Sequence, residues 1–101
     1  PDLAICGGIT EAMRIAALAS SQQIRLAPHM WGGAVMFAAG LQICATAPAA
    51  FIVEYSLGHN PLMHDLVAER FAVEGGRIGI PDRPGLGLSI DADFVRAHAV
   101  N

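Results

Sequence analysis

His29 and Glu54 each stand where an apolar segment ends, and an imidazole and a carboxylate placed that way could move protons. Ile24 to Ala27 is a short apolar run closed by Pro28, which predicts a strand with His29 just past its C-terminal end. Phe51, Ile52 and Val53 predict the next strand, and Glu54 interrupts that run at the same kind of position. Imidazole changes charge near neutral pH and serves as acid or base. A carboxylate ending a buried strand carries a desolvation cost unless it is paired or used. For Glu54, catalytic use therefore outweighs a structural salt bridge. His29 reads equally well as a functional group or as a hydrogen-bonded loop histidine. Asp2 is uninformative by itself, because a carboxylate at a chain start is ordinarily solvated. His59, His64 and His98 look like loop, exposed-helix and tail residues. No H-x-x-x-H or H-E-x-x-H spacing supports a helix-borne zinc site. Gly75-Gly76 and Gly85-x-Gly87 read as turn glycines, without the strand-to-helix setting of a phosphate loop.

The elements that must position these groups alternate. Thr10 is placed to cap a helix whose first turn contains Glu11, and Ala12, Ile15, Ala16 and Ala19 follow the spacing of a buried stripe. Glu11, Arg14 and Gln22 are expected to face water, and Gly7-Gly8 supply the turn before the helix. After the strand at Ile24–Ala27 and the Gly32-Gly33 turn, Ala34 to Ala47 is apolar nearly all round, as a helix packed on both sides would be. Pro48 ends it. The order helix, strand, helix, strand implies parallel strands joined by helical crossovers. In an αβ barrel the C-terminal strand ends form the catalytic face, which is where His29 and Glu54 would lie. A shorter helix is predicted at Leu62–Glu69 after the Asn60-Pro61 turn, then strand-like pieces at Arg77–Ile80 and Leu86–Ile90 in a Gly/Pro-rich β tail. Asp91–Ala97 predicts a final helical turn or two.

Composition narrows the function classes. The 101 residues are 53% hydrophobic and only 15% charged, against about 25% charged in an average soluble domain. That leaves apolar surface expected to face other protein. The sequence opens on Pro1-Asp2 without Met and runs at once into Leu3–Cys6, which reads as a fragment or a processed subunit. A net charge of −3, with six arginines and no lysine, argues against a nucleic-acid surface. Trp31 to Val53 is nearly as apolar as a membrane span, but Gln42, Pro48 and the absence of flanking cations argue against one. Cys6 and Cys44 are expected to be buried free thiols, and with no signal peptide visible a cytoplasmic location is expected.

Several stretches together resemble a known family. Pro1-Asp2, Cys6-Gly7-Gly8-Ile9-Thr10-Glu11, Ala27-Pro28-His29 and Val53-Glu54-Tyr55 resemble the last strands of the mandelate racemase/muconate lactonizing enzyme family of the enolase superfamily, in its acid-sugar dehydratase branch. Asn60-Pro61-Leu62 and Pro81-Asp82-Arg83-Pro84-Gly85-Leu86-Gly87 extend the resemblance, in order, over nearly the whole chain. It implies an α/β fold, the C-terminal portion of a (β/α)8 barrel, with residues 1–70 as barrel strands and helices and 71–101 as tail. It also implies Asp2 as the aspartate ending the sixth strand, His29 as the histidine ending the seventh, and Glu54 as the glutamate ending the eighth.

The chemistry so implied is abstraction of the proton α to a carboxylate, with Mg²⁺ stabilising the enediolate. His29 would be the base, or the acid that protonates a leaving hydroxyl, with Asp2 orienting its ring and Glu54 donating to the substrate carboxylate. Trp31, just after the base, could shape the substrate pocket. The family's three acidic metal ligands, its lysine motif and its capping domain belong to parts this sequence does not contain, so the chain alone is expected neither to bind Mg²⁺ there nor to turn over substrate. The expected partners are the rest of the barrel and the capping domain, a small carboxylate substrate and further copies of the protein. A sugar-acid dehydratase is the leading reading. A histidine base argues against the lysine-based branches; a racemase or epimerase of hydroxy acids or proline derivatives is the alternative. A third possibility is an inactive truncated fragment that associates with itself or with a complementary half-barrel.

Overall fold

The computed structural model describes residues 1–100. Five helices and one small hairpin follow in order: α1 (Leu3–Cys6), α2 (Ile9–Ser21), α3 (Ala34–Thr46), α4 (Pro61–His64), β1 (Val73–Glu74), β2 (Arg77–Ile78) and α5 (Ala92–His98).

Helix α3 organises the core because it offers apolar side chains on every face. One side carries Ala34, Phe37, Ala38 and Leu41 against Met30, Met63, Val67 and Phe71. The other carries Ala39 and Ile43 against Leu3, Leu26 and the buried stripe of α2, Ala12 and Ala16. A Cβ at Gly40 would stand 2.9 Å from the Met30 sulfur, so the missing side chain is what lets Met30 pack next to the helix. The α2 stripe is narrower than the periodicity predicts: Ile15 remains 36% exposed. Thr10 is not the cap of α2. Gly7 and Gly8 both take positive φ, at 107° and 85°, and turn the chain directly into the helix at Ile9, so Thr10 already lies inside it.

The two predicted strands run parallel but do not form a continuous ladder. Leu26 bridges Ala50, with Leu26 N–H donating to Ala49 O at 2.7 Å and Phe51 N–H to Leu26 O at 3.2 Å. The next rung of a parallel ladder would need the N–H of residue 28, and Pro28 has none. Phe51, Ile52 and Val53 therefore lie outside any strand beyond the Phe51 N–H bond, and Phe51 and Ile52 remain 51% and 56% exposed. Burial still alternates through the first segment, where Leu26, Pro28 and Met30 face the helices while Arg25, Ala27 and His29 are exposed. On that open side the Arg25 guanidinium lies 3.8 Å from the centre of the Phe51 ring.

Beyond Asn60 the predicted helix Leu62–Glu69 shrinks to the single turn Pro61–His64. The backbone that would continue it is taken by the tail: Val67 bridges Ile90, Ala68 N–H donates to Ser89 O, and Asp91 N–H donates to Leu66 O. The predicted strands of the tail are correspondingly short. Arg77–Ile78 pairs antiparallel with Val73–Glu74 around Gly75 and Gly76, and Leu86–Ile90 contributes only the bridge at Ile90. Glu69 holds the tail through Ser89 N–H at 2.7 Å and an ion pair with Arg83. The Ser89 N–H is the first reason its carboxyl is held below the usual range; the Ser89 hydroxyl and Arg83 act the same way, and burial opposes them. The C-terminal helix forms as predicted, capped by the Asp91 carboxylate. Among the described residues, no helix is long and apolar enough to cross a membrane. Cys6 and Cys44 are free thiols, half-buried rather than buried, and burial pushes the Cys44 thiol up.

Candidate active site

Three chain segments meet at Asp2, His29 and Glu54: Asp2 contacts His29, and Glu54 contacts the backbone of the next residue, Met30. Asp2 bridges His29 in parallel, with His29 N–H donating to Pro1 O at 2.9 Å. Their side chains meet as well: His29 Nδ1 lies 2.7 Å from Asp2 Oδ2. The Asp2 side chain is 13% exposed and that of His29 is 51% exposed, so the carboxylate is covered and the imidazole opens outward.

Asp2 is fixed from two directions. While Oδ2 takes the imidazole, Oδ1 caps α1 by accepting from Ala4 N–H at 2.8 Å and Ile5 N–H at 3.1 Å. The His29 hydrogen bond is the first cause holding the Asp2 carboxyl below its ordinary value, with the two amides adding to it and burial opposing. An ionised Asp2 can only accept, so the hydrogen on the shared bond sits on Nδ1. When the ring is neutral, Nε2 is then its basic nitrogen.

The Asp2 shift fixes a sign. A carboxyl depressed on folding adds stability above its unfolded value, and loses it as pH falls through the folded one. Asp2→Asn keeps an oxygen for the α1 cap but loses the ionised acceptor for His29. The expected result in the full-length protein is a stability deficit at neutral pH that closes as pH falls below the ordinary carboxylate range. Acid unfolding of the two proteins side by side checks this; a deficit that widens toward low pH would contradict it.

Glu54 enters through the backbone. Val53 and Tyr55 on either side of it pack against the Phe37 cluster. Its Oε2 accepts the Met30 N–H at 2.7 Å. In a continued parallel ladder that N–H would go to the Val53 carbonyl. The side chain has replaced a backbone acceptor at the point where pairing ends, and the peptide it binds is the one that follows His29. The Glu54 carboxylate is thus tied to the backbone one residue past the His29 imidazole. Trp31, two residues past His29, is 70% exposed, so packing within this chain does not account for it.

The other histidines form no part of this arrangement. His59 stacks on His64 at 5.5 Å and lies 3.6 Å from Asp65, and His98 Nδ1 lies 2.8 Å from Phe94 O. Among the described residues, no three His, Cys, Asp or Glu side chains are grouped as a metal ion requires, so the residues present do not fit a Mg²⁺ site. One contributor to the site, the Met30 N–H, carried no signal in the sequence because it is a backbone group.

Comparison with known proteins places the chain in a family. Residues 1–94 match the family described as enolase C-terminal domain-like, and the chain belongs to it. It is 39% identical over 101 residues to the D-galactarolactone cycloisomerase of Agrobacterium fabrum, covering 92% of this chain and 27% of that protein. It is 40% identical over 101 residues to the D-galactonate dehydratase of Ralstonia pickettii, covering 94% of this chain and 26% of that protein. A solved structure from Bordetella bronchiseptica RB50, provisionally called a mandelate racemase, superposes with a TM-score of 0.89 at 40% identity, covering 94% of this chain and 25% of that one. The chain therefore spans about a quarter of the length of the relatives it matches. Its fold is α/β and enolase C-terminal domain-like, its structural neighbours are enzymes of the enolase superfamily, and its relatives include both sugar-acid dehydratases and isomerases.

Proposed function

We propose that this chain supplies the acid–base side of an active site that removes the proton α to the carboxylate of a sugar acid, within a full-length dehydratase. The observation that carries the proposal is the 2.7 Å bond from His29 Nδ1 to Asp2 Oδ2 on a ring left half-exposed. It fixes the tautomer and leaves Nε2 open to a substrate. His29 Nε2 takes the α-proton, and the resulting imidazolium is stabilised by the Asp2 carboxylate. The same ring then returns the proton to the β-hydroxyl as its C–O bond breaks, so that water leaves and the enol product tautomerises to a 2-keto-3-deoxy acid. A protonated Glu54 would carry its proton on Oε1, since Oε2 already accepts the Met30 N–H, and would donate to the substrate carboxylate. The exposed Trp31 would line the substrate pocket. Mg²⁺ and its ligands would come from residues outside these 101, together with the rest of the barrel, a capping domain and further copies of the protein. The chain by itself would be inactive.

An isomerase is the second reading, favoured by the likeness to a cycloisomerase. It needs the same proton abstraction, but the proton is returned to carbon and no hydroxyl is lost. Incubating the full-length protein with a panel of sugar acids and their lactones separates the two. A 2-keto-3-deoxy product supports the dehydratase. An isomer of unchanged mass supports the isomerase. Failure to exchange the α-proton of any of them in D₂O counts against both.

A further inference from the structure

We infer that Asn60 is a positioning residue for the candidate site, a clasp that holds the turn after His29 against the segment that follows Glu54; the catalytic part of this inference rests on the function proposed above. Three contacts carry it. The half-buried Asn60 side chain donates from Nδ2 to Gly32 O at 3.1 Å, across 28 residues of sequence. Its Oδ1 accepts from Leu62 N–H at 3.1 Å and caps α4, so neither end of the amide is free to turn. The two segments also touch at Gly33, where a Cβ would stand 3.2 Å from both the Cβ and the carbonyl oxygen of Leu62.

These contacts adjoin the candidate site along both chain segments. The clasped turn begins at Met30, whose N–H holds Glu54 and whose peptide joins it to His29. It ends at Gly33, the residue that opens the buried helix α3. The ladder between the two segments lapses at Pro28, so backbone pairing cannot hold them together at this height. The Met30–Glu54 bond and the Asn60–Gly32 bond do so instead. Loss of the second removes one of the two hydrogen bonds that tie the segments together at this height, leaving the Met30–Glu54 bond and side-chain packing to set the relative placement of base and carboxylate. A displacement of about 1 Å at a reacting group costs on the order of 10²-fold in rate.

Asn60→Asp in the full-length protein keeps the oxygen that caps α4 and replaces the donor to Gly32 O with an acceptor. Asn60→Ser keeps a capping hydroxyl too short to reach Gly32. In both variants kcat is expected to fall by about tenfold to a hundredfold with KM changed less than threefold. Amide hydrogen exchange of the peptide spanning Met30 to Gly33 is expected to quicken at least tenfold while α2 and α3 exchange as before. Unchanged exchange at that peptide in both variants would overturn the clasp, whether or not a substrate has been found. Quickened exchange with wild-type kcat would overturn its positioning role. A wild-type protein inactive on every sugar acid refutes the proposed function instead, and the exchange result then still decides the clasp.

Discussion

Replacing His29 by Asn in the full-length protein is expected to lower kcat by about 10²- to 10⁴-fold, the range lost when a positioned proton-transfer group is removed. The substitution is selective because of what His29 does in the fold. Its Nδ1 meets Asp2 Oδ2, and an asparagine amide nitrogen can stand near Nδ1 and keep that bond. Its side chain is half-exposed, so shortening it opens no cavity. Only Nε2, the nitrogen assigned to the substrate, has no replacement. Melting temperature should hold within a few degrees while turnover, followed as product formed per unit time, collapses. Retention of more than a fifth of wild-type turnover would remove His29 from the chemistry.

Phe37→Ala is expected to destabilise the folded protein by about 3–5 kcal/mol, the usual cost of deleting a buried aromatic. Phe37 is 1% exposed on α3 and meets Phe71 at 4.9 Å and Tyr55 at 5.5 Å between ring centres, both edge-on. Such pairs add about 0.5–1.5 kcal/mol each beyond burial. The effect should reach the site as well. Tyr55 follows Glu54, and its hydroxyl donates to Phe71 O at 3.0 Å, so the Phe37 cavity loosens the support on one side of the carboxylate. Thermal unfolding together with kcat checks both parts, and Phe37→Leu should recover a large share of each. A loss below about 1 kcal/mol would mean that the cluster relaxes around the missing ring.

The sequence discloses this molecule unevenly, for physical reasons. Helices α2 and α3 are legible because a helix satisfies its own backbone and needs only an apolar stripe to dock; α3 forms over Ala34–Thr46, close to its predicted bounds. The strands are legible as apolar segments but not as a sheet. A strand needs partners, Pro28 removes one rung, and Phe51 and Ile52 remain about half exposed. The helix predicted at Leu62–Glu69 fails because the Leu66 carbonyl and the Ala68 N–H bond to Asp91 and Ser89 of the tail, a long-range competition that local propensity does not register. The candidate site divides in the same way. Placement of His29 and Glu54 at segment ends is visible in the residue pattern. Asp2 acquires meaning only through the family resemblance and then through its 2.7 Å contact. Asn60 and the Met30 N–H join segments distant in sequence, and no spacing announces them.

The proposed chemistry requires the imidazole at position 29, steadied by the carboxylate at position 2, to present its far nitrogen to the carbon that loses a proton. A crystal structure of the full-length protein with a sugar acid bound measures this directly. The expected result is His29 Nδ1 within hydrogen-bond reach of Asp2, His29 Nε2 about 3–3.5 Å from the substrate α-carbon, and Glu54 on the substrate carboxylate. A substrate bound with His29 Nε2 turned away from the α-carbon, or with Asp2 separated from the ring, would contradict it.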